Sequence, residues 1–239
     1  MSLASTDVIR WGRERARTGR WRGDAAVAFI NPMPDAPLPS PEFLRRCLDT
    51  LAARGYRRVV TGALSPLEQA GFLAVGFGVE ERLHLLGIDL TRELPPIPPG
   101  YPMRRVRHRQ RKEILAVDQS AFSAYWRFDS AGLSDALHAT PSVRFRAAIG
   151  PGDAIAGYAI CGRSGRRGFV QRLAVSPDHQ RSGTGRRLLL DGLDWMRRRR
   201  VLRAVVNTQL GNDAALALYT GIGFREEPTG LSVLSTGLP

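Results

Sequence analysis

One stretch, Ser176 to Arg187, constrains this chain more than any other. Ahead of it lies Phe169 to Val175, an apolar run of β-formers that reads as a strand. Behind it, between Arg186 and Arg200, Leu188, Leu189, Leu193 and Met196 recur at helical spacing on one face. Gly183 and Gly185 therefore sit where a strand turns into a helix. Such a turn aims several free backbone N–H groups and the positive end of the helix dipole at one point. The natural ligand of that point is an anion, above all a phosphate. Each N–H donated to a charged oxygen contributes about 1.5–3 kcal/mol. A Cβ at the glycines would hold the anion away and resist positive φ. The class that places such a turn between a strand and a helix is α/β.

The residues decide among phosphate-binding turns. The P-loop pattern ends in Gly-Lys-Ser/Thr, but the lone lysine, Lys112, stands far from any such spacing. The dinucleotide fingerprint needs a third glycine, which Gly183-Thr184-Gly185 lacks. The pattern present is Gln-x-x-Gly-x-Gly, from Gln180 to Gly185. It resembles the pyrophosphate loop of the GNAT acetyltransferase superfamily, which binds acetyl-CoA. By itself the hexapeptide also reads as a plain glycine turn before a helix. The next segment extends the likeness. A Val-rich strand, Arg203 to Thr208, is followed by a helix that Asn212 opens and that runs from Asp213 to Thr220. That helix carries Tyr219 near its end and leads into Gly223-Phe224, matching the family pattern residue by residue. The resemblance covers Met103 to Leu234 and is strongest from Leu173 to Phe224. Ala121 to Thr140, with Trp126-Arg127-Phe128-Asp129, is similar to acetyltransferases of high-GC actinobacteria.

The resemblance implies a mixed central sheet of the GNAT type. It implies an N-acetyltransferase that moves acetyl from acetyl-CoA to a primary amine, a small molecule or a peptide N-terminus, by direct attack in a ternary complex. The backbone of Gln180, Arg181, Ser182, Gly183, Thr184, Gly185 and Arg186 would hold the pyrophosphate. Leu173, Ala174 and Val175 would pair with the pantetheine amides, and Asn212 would bind the same arm. Tyr219 would protonate the leaving thiolate as general acid. Each residue has a structural alternative: Asn212 as a helix N-cap, Tyr219 as a core aromatic, and Arg181, Arg186 and Arg187 as a solvated helix start. The general base stays open. Similar enzymes often carry a Glu on the strand before the glycine turn or on the next one, where this chain has Phe169, Gln171 and Asn207. Asp129, Glu226 and His138 are the remaining candidates. That departure keeps a second reading alive, a non-catalytic acyl-CoA-sensing or nucleic-acid-binding module on the same fold.

The first half repeats the second. Arg58 to Leu64 lines up with Ala204 to Leu210, and Gly71 to Phe77 with Leu218 to Phe224. Where the glycine turn would stand, Asn31 to Pro41 holds Pro32, Pro34, Pro37, Pro39 and Pro41, which lack N–H donors. Phe72, without a hydroxyl, stands where Tyr219 stands. The expectation is a tandem repeat: a degenerate structural unit over residues 1–94, a Pro-rich linker over 95–100 and an acetyl-CoA-binding unit over 101–239. Ser40 and Pro41 predict a helix start, and Gly55 its stop. Ile9 to Arg22 predicts a hairpin about Thr18-Gly19.

Composition sets the remaining bounds. With 239 residues and 43% hydrophobic content, the chain holds one large or two small cores. No apolar run reaches the length of a membrane span, and Val8-Ile9 meets arginines too soon for a signal peptide. Cys47 and Cys161 are too few for a disulfide framework, so a cytoplasmic setting is expected. His84, His108, His138 and His179 fall in no metal-ligand spacing, so no metal is expected. The net charge of +13 fits nucleic-acid binding or an anionic cofactor, but the arginines are scattered. Oligomeric state is not encoded in any of these features.

Overall fold

The computed structural model describes residues 7–33 and 35–239. Residues 1–6 of the expected first unit and Pro34 of the proline run lie outside the described residues. In chain order the elements are β1 (Asp7–Trp11), β2 (Glu14–Arg20), β3 (Val27–Pro32), α1 (Pro41–Ala53), β4 (Arg58–Leu64), α2 (Pro66–Leu73) and β5 (Gly78–Asp89). They continue with β6 (Met103–Arg105), α3 (Arg111–Ala121), α4 (Ser130–His138), β7 (Ser142–Ile149), β8 (Ile155–Ser164) and β9 (Arg167–Val175). The last are α5 (Thr184–Arg197), β10 (Arg203–Gln209), α6 (Asp213–Thr220), β11 (Arg225–Glu226) and β12 (Leu231–Gly237).

The chain forms two compact units, and the division falls inside β5, after Leu85. Unit 1 comprises residues 1–85, 209–211 and 227–239; unit 2 comprises 86–208 and 212–226. These spans differ from the sequence boundaries 1–94 and 101–239. The physical reason is the chain end. β12 pairs antiparallel with both β4 and β5, and Leu234 is fully buried in the core of unit 1. The proline-rich segment 95–100 falls within unit 2, where the Arg187 guanidinium donates to the Pro98 carbonyl.

Unit 1 has strand order β1-β2-β3-β4-β12-β5, with β3 and β4 parallel and its other pairs antiparallel. The expected cap is present: Ser40 Oγ accepts from the Phe43 N–H at 3.2 Å, and Gly55 takes φ 85° just after α1. Phe43, Leu44, Cys47 and Leu51 form the buried face of that helix. Burying one such aliphatic side chain contributes about 1.5–3 kcal/mol. The N-terminal hairpin forms, but its turn is not at Thr18-Gly19. Trp11 pairs with Glu14, so the loop is Gly12-Arg13, where Gly12 supplies φ 58°. A two-residue hairpin loop needs a residue that tolerates positive φ, and glycine does so without strain. Thr18 and Gly19 pair with Ile30 and Phe29 instead.

Unit 2 has strand order β5-β10-β9-β8-β7-β6, with β11 on β5. β9 and β10 run parallel; β6, β7, β8 and β9 pair antiparallel. One core cluster gathers α5 and α6 residues against Ala159, Cys161, Val170 and Val206. A second gathers α3 and α4 residues against Tyr158, Ile160 and Ala174. Because side chains alternate along a strand, the two clusters are the two faces of the β8–β9 sheet.

One construction occurs in each unit. In unit 1, β3 pairs parallel with β4 over four residues; in unit 2, β9 pairs parallel with β10 over three. An eight-residue helix follows each second strand. Phe72 and Phe77 meet at 5.1 Å between ring centroids, and Tyr219 and Phe224 at 5.7 Å. Gly76 at φ 90° and Gly223 at φ 114° turn the chain between each pair.

Candidate active site

β9 delivers the chain into the glycine turn, and α5 carries it away. Arg181 takes φ 56° and Gly183 takes φ 81° at the N-cap of α5. A non-glycine residue at positive φ costs roughly 1–2 kcal/mol and marks a geometry kept for a purpose. Among the described residues, the backbone N–H groups from Arg181 to Arg186 have no backbone acceptor. A Cβ built on Gly183 meets nothing within 4 Å, so the space above the turn is open. Ser182 Oγ donates to the His179 carbonyl at 2.6 Å and lies 2.8 Å from Thr184 Oγ1, which fixes the curl of the loop. The Gln180 side-chain amide donates to the Val175 carbonyl at 3.2 Å, bracing the turn against the end of β9. These donors fit a diphosphate.

The arginines of the turn divide. Arg186 donates to the Gly221 carbonyl at 3.1 Å, and Arg187 to the Pro98 carbonyl, so both guanidiniums answer backbone oxygens. Arg181 is exposed beside the turn.

The strands beside the turn open a gap. β9 and β10 pair only at Arg203–Arg167, Ala204–Gly168 and Val205–Phe169. Beyond that point, among the described residues, β9 pairs with β8 alone, Leu173 opposite Ala159 and Ala174 opposite Tyr158. The other edge of Leu173, Ala174 and Val175 faces the gap with no strand partner. A ligand with amide groups fits such an edge, because it completes the ladder. Asn212 Oδ1 accepts from the Ala215 N–H at 3.2 Å, so its N-cap role is observed.

Tyr219 is 6% exposed, packed with α5 residues and Phe224. Its hydroxyl has no hydrogen-bond partner among the described residues. Burial pushes its phenol above the ordinary value of 10.0; Cys161 adds to the rise and Arg172 opposes it. The phenol is thus held protonated. Cys161 is fully buried, and burial pushes its thiol up to about 12, with Asp191 adding and Arg144 opposing. It is a packing group and not a nucleophile.

The candidate bases take separate places. Asp129 caps α4, accepting from the Gly132 N–H at 2.7 Å. The His138 Nδ1–H donates to the Ser134 carbonyl at 2.7 Å in the last turn of that helix. Glu226 is exposed on β11. Gln171 occupies the irregularity of β9, where the register jumps between Ile160–Arg172 and Cys161–Val170. Its Oε1 is buried with no hydrogen-bond partner, and its Nε2 lies 3.4 Å from Thr140 Oγ1.

A charged cluster stands on the sheet face opposite α5, and sequence reasoning missed it. Asp118 of α3 is fully buried. It receives Arg172 Nε at 2.7 Å, Arg172 Nη2 at 2.8 Å, the Tyr158 hydroxyl at 2.5 Å and the Phe128 N–H at 2.6 Å. Arg172 also donates to the Trp126 carbonyl at 2.7 Å. Its guanidinium lies 3.5 Å from the Phe122 ring centroid and 4.0 Å from that of Phe128. The signal was present in the pattern. Asp118 follows Ile114 by one helical turn, and Arg172 lies two residues before Ala174 on the same strand face, so each puts a charge into a buried stripe. Buried charges of opposite sign in two stripes pair with one another.

The model of the Acetyltransferase (GNAT) family matches residues 108–224. A mycothiol acetyltransferase of Salinispora arenicola is 31% identical over 208 residues, which are 77% of this chain and 67% of that protein. A [ribosomal protein bS18]-alanine N-acetyltransferase of Escherichia coli is 43% identical over 54 residues, 23% of this chain. The chain spans about a third of that relative's length, 36%. Among solved structures, a tandem GNAT protein from the clavulanic acid biosynthesis pathway superposes with a TM-score of 0.70 at 14% identity. That match covers 96% of this chain and 81% of the other, and it bears on the fold.

Proposed function

The chain belongs to the GNAT acetyltransferase family, and from that premise we propose that unit 2 transfers an acetyl group from acetyl-CoA to a primary amine. The observation that carries this reading is the turn from Arg181 to Arg186, with its unanswered N–H groups, next to the gap between β9 and β10. Acetyl-CoA supplies an acetyl thioester whose leaving group is a thiolate. The N–H groups of the turn bind its diphosphate. The open edge of Leu173, Ala174 and Val175 aligns the pantetheine amides, and Asn212, the cap of α6, is assigned to the same arm. Tyr219 holds a proton on its hydroxyl where a thiolate leaves. Aliphatic side chains of α5 and α6 pack around the Tyr219 ring.

Unit 1 is proposed as a degenerate copy with a structural role. The proline run stands in place of the glycine turn, and Phe72 in place of Tyr219. The acceptor is a primary amine, drawn from two classes. The relative aligned over 208 residues is named for mycothiol, and the one aligned over 54 for an alanine of a ribosomal protein. A second reading, acyl-CoA binding without turnover, is favoured by Gln171 and Arg172 on β9, which supply no carboxylate base.

The test is acetyl-CoA consumption with a panel of polyamines, amino sugars and a peptide beginning with alanine. Product must be identified by a mass increase of one acetyl group. Amine-dependent transfer is expected. Tight acetyl-CoA binding with no transfer to any class of amine supports the binding module instead.

A further inference from the structure

The site so far accounts for the cofactor side of the reaction and leaves the acceptor side unassigned. Helices α5 and α6 close one face of the sheet around the β9–β10 gap, with Tyr219 in their packing. On the acetyltransferase reading, the other face is the one assigned to the acceptor. The residues there belong to α3, to α4 and to the eight-residue segment between them, 122–129.

That segment has little regular structure: three residues of 3-10 helix, Ala124–Trp126, and then extended backbone. Four of its anchors converge on the Asp118–Arg172 pair. The Phe128 N–H donates to Asp118, the Trp126 carbonyl accepts from Arg172, and the rings of Phe122 and Phe128 lie over the same guanidinium. Arg172 in turn rises from β9 one residue before Leu173, where the open edge begins. The side chain therefore links the strand that lines the gap to the segment between α3 and α4.

Resting on the acetyltransferase reading, we infer that Asp118 and Arg172 are positioning residues for the acceptor. They hold segment 122–129 in register with β9, so that the site binds its amine without first ordering the segment. A buried pair is not needed for stability, since apolar residues of similar volume usually serve as well. The pair here has a geometric task that apolar residues lack. A planar fork answers the Asp118 carboxylate with two nitrogens and still reaches the Trp126 carbonyl. Lysine keeps the charge but has no fork, so it satisfies Asp118 and releases the segment.

Arg172→Lys is the test. Arg127 is exposed within the segment, so trypsin reads its mobility directly by cleavage after that residue. With the panel amine of highest turnover, the variant is expected to raise acceptor KM about tenfold and keep kcat within about threefold. Its affinity for acetyl-CoA stays within about twofold, and tryptic cleavage after Arg127 quickens. A folded variant with unchanged acceptor KM and unchanged cleavage overturns the inference. So does a parallel loss of acceptor and acetyl-CoA affinity, which assigns the cluster to support of β9 as a whole. Should Arg172→Lys not fold, Phe128→Leu leaves the ion pair in place, loosens the same segment and is held to the same outcomes. Wild-type protein that transfers to no amine refutes the proposed function. Wild-type transfer with an unaltered variant refutes only this inference.

Discussion

At the scale of the residue, the proposed general acid is Tyr219. Its counterpart in the other unit is Phe72, fully buried against Phe77, so a phenyl ring already satisfies packing at this position. The Tyr219 hydroxyl has no protein partner to lose among the described residues. Tyr219→Phe is therefore expected to keep stability within about 1 kcal/mol and to keep acetyl-CoA affinity. Turnover falls about 100-fold, the lower range for a positioned acid, and the loss appears in kcat more than in KM. Steady-state kinetics with thermal melting checks both halves. An unchanged kcat, with chemistry rate-limiting, returns Tyr219 to the role of a core aromatic. The pH dependence has a defined sign. An acid works while protonated, and burial raises this phenol above 10.0. Activity should show no falling limb below pH 10. Because β9 offers no carboxylate, the rising limb of kcat/KM should follow the acceptor's own ammonium. Two amines of different basicity separate these cases: a rising limb that stays put reveals a base on the protein.

At the scale of the element, the glycine turn is a backbone device and responds to backbone changes. Gly183→Glu places a side chain and a negative charge where the N–H groups converge, and acetyl-CoA binding is expected to vanish. Gly183→Ala separates charge from strain. There is room for its Cβ, and the cost is the left-handed backbone, about 1–2 kcal/mol. Circular dichroism should report both variants folded. The turn was legible in the sequence because its glycines, the strand before and the helix after are local. The same holds for Ser40 as the cap of α1 and for α6, whose expected bounds match the observed ones. The Asp118–Arg172 pair was not legible in that way. Its partners are 54 residues apart, and only the packing of α3 on β9 brings them together. The hairpin turn was misplaced for a smaller reason. Both Gly12 and Gly19 suit a turn, and the register that puts Ala16 into the core selects Gly12.

At the scale of the whole molecule, the last strand decides how the chain divides. β12 lies between β4 and β5; the Leu234 N–H donates to Thr61 Oγ1 at 2.9 Å, and Ser235 donates to Glu80 at 2.8 Å. Deleting residues 227–239 leaves two strand edges unpaired and opens the core of unit 1 at Leu234. The truncated protein should aggregate on expression; a soluble, cooperatively melting product would show that unit 1 folds without β12. The repeat makes a sharper claim about number. Two units share a construction, and one of them has the turn, the open edge and the phenol. Calorimetric titration of acetyl-CoA into the full-length protein tests this most directly, with Gly183→Glu titrated beside it. One site per chain, lost in the variant, is the predicted result. Two sites of similar affinity, or a single site that Gly183→Glu leaves intact, would contradict it.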